Sequence, residues 1–540
     1  MLILENTFAN ASLIADAGYQ APVRFLILGL GESGVAMAKW CLRNGASVRF
    51  ADTRDQAKFS DRQHAWLEEL KFAGLKDIQF GPLSEELLGG IDVIGISPGL
   101  SPLQEPTASF LVAARKARID VWSEIEFFAR AIAALSRMAQ AQESSYQTAV
   151  LAITGTNGKT TTTALTGQLC ERAGKKVAVA GNISPAALDK MMSCLDGADQ
   201  IEDMPDVWVL ELSSFQLVYT HTLNATAATV LNLTQDHLDW HGDMQTYAEA
   251  KAKIFADDTV CILNRDDALV MGLISEAQRA ERSIITFGSN RPDEQGAFGI
   301  EHDLRAGGID WLVWAEVDED VEPQPKRRRK TAAIQEDEPL RLKRLIPADA
   351  LRIRGRHNAL NALAALALAR AAKLPMNVLL HGLRDYHGEP HRVQSIAIVK
   401  DVEYVDDSKG TNVGATVAAL NGLGSNESGK RIWLIAGGDG KGQDFSPLRE
   451  PSLRFVKGAF LIGKDAQAIG QALGDSIPCT VSGDLVAAVQ AASAKAVSGD
   501  LVLLSPACAS LDQFKDYVER ARVFAAEVEE LGMRFEGVQA

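Results

Sequence analysis

Cysteine is scarce and unpatterned. The six in 540 residues (Cys41, Cys170, Cys194, Cys261, Cys479 and Cys508) form no CxxC pair. That argues against a zinc site or a disulfide framework and fits a reducing compartment. Positive charge is also in short supply, with 55 Lys and Arg against 70 Asp and Glu, a net charge of −15. A general nucleic-acid binder would carry a basic face, so that class is excluded. Long hydrophobic runs are missing. The longest apolar stretch, Ala359 to Ala372, is broken by Asn361 and Arg370; it is too short to span a bilayer and reads as a buried helix. The start, MLILENTFANAS, has no basic segment and carries Glu5, so it does not read as a signal peptide. No repeat of solenoid period is present. The expectation is a cytoplasmic protein with no stable membrane insertion and no nucleic-acid partner.

What is there is globular, at 46% hydrophobic and 23% charged, with room for several ordinary domains. Three blocks alternate short apolar runs with amphipathic stretches, the pattern of parallel sheets flanked by helices. The expected fold class is α/β in three domains: a Rossmann-like N-terminal domain (1–140), a central P-loop-type ATPase domain with a mostly parallel sheet (141–387), and a Rossmann-like C-terminal domain (388–540). Expected strands include Val23–Leu28, Val48–Ala51, Val93–Ile96, Val150–Ile153, Ala228–Leu233, Ile432–Ala436, Ala459–Ile462 and Leu501–Leu504. Residues 134–148 read as a helix end and a linker. Residues 318–340, with the basic run Lys326–Lys330 among acids, read as a charged, solvated loop inserted between strands.

The stretch Gly155-Thr156-Asn157-Gly158-Lys159-Thr160-Thr161 follows a buried strand and opens a helix. It is a phosphate loop shortened by two residues relative to GxxxxGK[ST]. Backbone N–H groups at such a helix start converge on an anion. Lys159 adds a point charge for the outer phosphates, and the Thr160 hydroxyl suits Mg²⁺. A second glycine turn, Gly29-Leu30-Gly31-Glu32-Ser33-Gly34, follows the first strand, with Asp52 ending the next. This pattern specifies a diphosphate beside a ribose, in a dinucleotide or any nucleoside diphosphate. Glu211 and His237 lie at strand ends, where open α/β sheets place ligands, and together suit a divalent cation. Asn358 and Asn361 share one face of the alanine-rich helix, as caps or as ligand contacts. Cationic loops of the third block, around Arg392, Lys409 and Lys441, suit a second nucleotide contact and an acidic substrate.

Taken together, GTNGKTTTT, ELSSFQL, DHLDWHG, GRHNALNALAALALA, DDSKGTN, GGDGKGQDF and SPACASLDQF resemble the Mur ligase family of cell-wall synthesis over about Ala21 to Gly532. The last four point to its D-glutamate-adding members. The resemblance implies ATP-dependent amide-bond formation between UDP-N-acetylmuramoyl-L-alanine and D-glutamate through an acyl phosphate, in peptidoglycan precursor synthesis. It implies ATP and two Mg²⁺ as cofactors. By motif, Lys159 would contact the phosphates, Thr160 and Glu211 would bind Mg²⁺, and His237 would bind a second Mg²⁺ beside a carbamylated lysine. The YAEAK segment places that lysine at Lys251, with Lys253 as near neighbour. Asn358, Asn361, Arg392 and Asp407 would hold ATP. Ser33, Asp52, Thr53, Arg54 and Gly99 would hold UDP, with Asn182 and Ser213 lining the substrate site. Lys409, Thr411, Lys441, Ser510, Leu511 and Tyr517 would serve the D-glutamate and acyl-phosphate side. Catalytic weight falls on Lys159, His237, Lys251 and Lys409, and a monomer is expected. Thr160 and Tyr517 stand where relatives often carry Ser and Phe. Glu32 stands where an apolar residue is commoner and is expected to point away from the diphosphate. Competing readings are a sister ligase for another amino acid, a nicotinamide oxidoreductase read from the first glycine turn, and a non-catalytic ATP-binding module.

Overall fold

A computed structural model describes residues 2–4, 23–304, 308–317, 340–424 and 429–536. The charged insertion therefore lies outside the described residues, save Leu340. So does most of the N-terminal extension, of which the Leu2 amide donates to the Leu195 carbonyl at 2.9 Å.

Three sheets form. The first runs, in spatial order, Asp77–Phe80, Ser47–Asp52, Arg24–Leu28, Val93–Ile96 and Asp120–Trp122, all parallel. Its central strands are covered on both faces, which is why they read as continuous apolar runs rather than alternating ones. The third sheet is ordered Gln394–Val399, Val402–Asp406, Leu501–Leu504, Ile432–Gly437, Val456–Ile462 and Cys479–Gly483. Only its first pair is antiparallel.

Among the described residues the central sheet has nine strands. Five parallel strands, Val177–Gly181, Val207–Glu211, Ala149–Thr154, Ala227–Val230 and Val260–Asn264, lie side by side. Ile284–Phe287 and Phe298–Asp303 extend them in parallel. Ile309–Val317 and Leu340–Pro347 then add antiparallel neighbours. On either side of the charged insertion, Val317 pairs with Leu340.

The helix Lys159–Arg172 packs on the alanine-rich helix Arg356–Ala371. Ala362 to Ala369 are completely buried; small side chains let the two helices approach closely while Leu363, Leu366 and Leu368 fill the remaining volume. One boundary differs from the sequence reading: the strand expected to reach Leu233 ends at Val230. The helix Glu124–Ala141 ends within residues 134–148, as expected. Among the described residues no helix is long and apolar enough to cross a membrane.

Candidate active site

Parallel strands deliver their following loops to one edge of a sheet, and here three such loops converge. The strand Ala149–Thr154 lies between Val207–Glu211 and Ala227–Val230. The phosphate loop, Glu211 and the 231–237 segment are therefore neighbours by topology. The early end of the third strand has a cause. Asn232 leaves the ladder to brace the loop, its Oδ1 accepting from the Asn157 amide at 2.8 Å and its Nδ2 donating to the Asn157 carbonyl at 3.0 Å. Gly158 then adopts a left-handed φ of +83° as the N-cap of the helix opening at Lys159, with no side-chain cap. The first amides of that helix are left for an anion. The Lys159 ammonium folds over the loop onto the carbonyls of Gly155 (2.9 Å) and Thr156 (2.8 Å).

The loop forms one wall of a cavity of about 580 Å³. The cavity gathers Thr156 to Thr160, Asn182, Glu211 and His237 from the central domain. It takes Arg392, Lys409, Thr411, Lys441 and Tyr517 from the third. Three contacts seat the third domain there. Arg392 Nη2 donates to the Thr160 hydroxyl at 2.5 Å, and Asn412 Nδ2 donates to Asn157 Oδ1 at 3.1 Å and Asp236 Oδ2 at 3.2 Å. Asn412 belongs to the polar cluster of the third block without an assigned role, and Asn232 is read from sequence only as part of a strand. Each is a polar residue at the mouth of an apolar element, inside a string already quoted or just after a strand, and that was the available signal.

The donor set tests for magnesium. Glu211 is buried; one oxygen accepts from Asn182 Nδ2 at 2.9 Å, while the other is buried without a hydrogen-bond partner. A lone buried carboxylate oxygen is costly unless something completes it. His237 sits at a left-handed φ of +55°, edge-on to Phe215 with ring centroids 4.8 Å apart. Burial, with help from Lys159 and Lys251 and against Asp236, depresses its pKa, so the imidazole stays neutral and keeps a lone pair for a metal. Among the described residues no group of three His, Cys, Asp or Glu could hold a metal ion unaided. Mg²⁺ is held through few protein groups and completes its shell with phosphate and water, so Thr160 and Glu211 would suit one ion and His237 a second.

Lys251 is fully buried below the loop, donating to Thr154 Oγ1 at 3.1 Å and the Gly155 carbonyl at 2.9 Å. Burial first, then the charge of Lys159, drives its pKa well below the ordinary lysine value. A neutral amine is what carbamate formation requires. Lys253 points the other way, exposed and bonded to the Val218 carbonyl.

The remaining expected residues divide. Asn361 lines a side cavity of about 170 Å³ next to the loop, with Asn264, Phe287 and His357. Asn358 does not cap its helix; its Nδ2 donates to the Arg354 carbonyl and its Oδ1 accepts from Asn361 at 3.1 Å. Asp407 is buried behind the cleft, accepting from Ser505 Oγ at 2.7 Å. Burial, opposed by that bond and by Arg392, lifts its pKa to about 7. Lys409 holds its ammonium 3.8 Å from the Tyr517 ring centroid; burial and then Arg392 lower its pKa to about 8. Ser510 is buried just behind the wall, and Leu511 is 68% exposed outside the cavity. Ser213 caps the short helix Ser214–Val218 in a capping box with Gln216.

In the first domain, Ser33, Thr53, Arg54 and Gly99 follow strand ends or the glycine turn, along one edge of the sheet. Asp52 is turned inward. Its oxygens accept from the Leu30 amide (2.6 Å), the Arg54 amide (2.9 Å) and the Arg54 guanidinium. Burial alone would raise its pKa, but these bonds hold it below the ordinary carboxylate value. The carboxylate thus shapes the glycine turn. Glu32 faces the central domain, where Oε1 accepts from Ser184 Oγ at 2.7 Å.

Fold and cleft together define a three-domain α/β protein in which a phosphate loop faces a cationic pocket. Comparison with known proteins narrows this. Residues 23–122 match the Mur ligase MurD-like N-terminal domain, 153–369 the Mur ligase middle domain, and 391–508 the Mur ligase glutamate ligase domain. The UDP-N-acetylmuramoylalanine–D-glutamate ligase of Cupriavidus pinatubonensis is 56% identical, over 94% of this chain and 97% of its own. That of Ralstonia nicotianae is also 56% identical, over 92% and 95%. Among solved structures, MurF from Acinetobacter baumannii shares the fold, with a TM-score of 0.54 and 14% identity over 93% of both chains. The chain belongs to the Mur ligase family.

Proposed function

We propose that the protein joins D-glutamate to UDP-N-acetylmuramoyl-L-alanine at the expense of ATP, through an acyl phosphate. The observation that carries this reading is the single cavity in which Lys159 and Thr160 of the phosphate loop meet Arg392, Lys409 and Lys441 of the third domain. Identity to the D-glutamate ligases selects the amino acid. The domain limits proposed are 1–140, 141–387 and 388–540, for nucleotide-sugar, ATP and amino acid respectively. The protein acts in the cytoplasm as a monomer.

A carboxylate oxygen of the L-alanyl group attacks the γ-phosphorus, and ADP leaves. The loop amides and Lys159 hold the phosphates and offset charge on the transferring group. Thr160, Glu211, His237 and Lys251, the last as a carbamate, would hold two Mg²⁺, which neutralise phosphate charge when bound. The D-glutamate amine, having lost its proton, attacks the acyl carbon, and inorganic phosphate leaves. Lys409, Thr411 and Lys441 bind and orient the two carboxylates of the amino acid. Because ATP and amino-acid contacts come from different domains, the third domain must be seated on the central one, as through the Asn412 contacts, before both reactants are held.

The test is ATP-dependent phosphate release with UDP-N-acetylmuramoyl-L-alanine, comparing D-glutamate with L-glutamate, L-alanine and lysine. Release with D-glutamate alone is expected. Release with another amino acid would move the protein to a sister activity, and no release with any would refute the ligase reading.

A further inference from the structure

One segment of the central domain is held by the first. Gly181 to Leu188 leaves the strand Val177–Gly181 and enters the helix Ala187–Gly197. That helix has Ala186 as its N-cap, which offers no side-chain acceptor. The acceptor comes instead from the other domain: Glu124, at the start of the helix Glu124–Ala141, takes the Leu188 amide on Oε1 at 2.6 Å. Glu124 is 1% exposed, and its second oxygen is buried without a hydrogen-bond partner. Four residues earlier in the same segment, Glu32 of the first domain takes the Ser184 hydroxyl at 2.7 Å. Farther along the helix, Arg43 pairs with Asp196 at 2.8 Å. Between the strand and these anchors lies Asn182. Its amide donates to the Glu211 carbonyl at 2.7 Å, and its side chain to Glu211 Oε1 at 2.9 Å.

We propose that Glu124 is a positioning residue for the nucleotide-sugar site: by capping the helix at Leu188 it fixes Gly181–Leu188, and with it Asn182 against Glu211. The inference rests on the ligase reading for its substrate and assigns no chemistry to Glu124 itself. An N-terminal cap lost to Ala costs a helix start its order, and supporting groups behind a site act through the residues they orient.

The state of the carboxyl sharpens the test. Burial raises its pKa to about 8, opposed by the Leu188 amide and reinforced by Asp189 and Glu32. Lys39 and Glu69 reach this cluster through Asp189. At neutral pH Glu124 therefore caps as a neutral acid, which Gln imitates in shape and in accepting oxygen.

Glu124→Ala should raise the KM for UDP-N-acetylmuramoyl-L-alanine about tenfold, leave the D-glutamate KM unchanged, and speed amide exchange across residues 181–188. Glu124→Gln should stay near wild type in all three at pH 7, and should flatten the rise of the nucleotide-sugar KM expected in wild type above pH 8, where Glu124 would ionise with one buried oxygen unpartnered. Ser184→Ala, which removes an exposed anchor without threatening the fold, should speed the same exchange. Equal impairment of the Gln and Ala variants would overturn the proposal. So would unchanged exchange across 181–188 in both Ala variants, or parallel changes in every KM and kcat with a lowered melting temperature. Exchange is read without turnover, so a wild-type enzyme that forms no product would refute the ligase reading alone.

Discussion

Replacing Gly158 with Ala tests whether the shortened loop works through its backbone shape. Gly158 holds φ at +83°, and a Cβ built there lies 2.4 Å from Asn361 Oδ1 and 3.2 Å from its Cγ and Nδ2. An L side chain in the left-handed region costs about 1–2 kcal/mol. Asn361 cannot simply swing aside: it is buried, and its Nδ2 donates to Asn358 Oδ1 at 3.1 Å. Displacing it forfeits a hydrogen bond worth about 0.5–1.5 kcal/mol. The two terms together come to about 1.5–3.5 kcal/mol, or about 10- to 300-fold in affinity if they fall on the phosphate-binding conformation. The assay is the ATP KM, with ADP binding followed by calorimetry. Gly174 supplies the control. It too has a positive φ, +78°, but nothing lies within 4 Å of its built Cβ. Gly174→Ala should therefore lower the melting temperature slightly and leave the ATP KM alone. In the double variant Gly158→Ala, Asn361→Gly, the clash is relieved and only the dihedral strain remains, so the losses should be less than additive. An ATP KM for Gly158→Ala within twofold of wild type would refute the reasoning.

Lys251→Ala should abolish most turnover and recover part of it with a short carboxylic acid, while the melting temperature hardly moves. The two hydrogen bonds lost, at 3.1 and 2.9 Å, are offset by no longer burying an amine, and full activity would sink the carbamate assignment. The Lys409 pKa of about 8 means the ammonium is lost as pH rises through 8, so the D-glutamate KM should climb between pH 7 and 9, and Lys409→Arg should flatten that climb. His241 and His357 are both lowered by burial from 6.5 to about 4. The native state thus binds fewer protons than the unfolded chain, and stability present above pH 6.5 should fall progressively towards pH 4. Melting curves across that window should show a shallower slope for His357→Gln than for wild type.

The parts of the site that were legible in the sequence are those fixed by local chemistry. Gly155, Gly158 and Lys159 declare a turn of positive φ followed by a helix start, and the helix begins at Lys159. Strand ends were less legible where a side chain competes with the ladder. Asn232 ends its strand early because bonding Asn157 secures the loop, a trade visible only once both segments are adjacent. What composition and spacing could not supply is the engagement of one functional residue by another. Asp52 reads as a carboxylate for a ribose, yet its oxygens serve Leu30 and Arg54. Thr160 reads as a metal ligand, yet its hydroxyl accepts from Arg392, 232 residues away.

That last contact also constrains the order of events. Arg392 occupies the hydroxyl that a cation would need, and Lys159 occupies carbonyls beside the place of the phosphates. Nucleotide entry must therefore break at least these two contacts, while Asn412 can keep its hold on Asn157 and Asp236. A side chain that lets go and a side chain that holds on are the minimum for a domain that reseats around its substrate without detaching. Arg392→Lys should accordingly weaken ATP binding, because a single ammonium cannot both release the hydroxyl and reach phosphate with a planar fork. Asn412→Ala should instead raise the KM for both ATP and D-glutamate, since it loosens the seat they share. An Asn412→Ala variant with only one KM altered would contradict the shared seat.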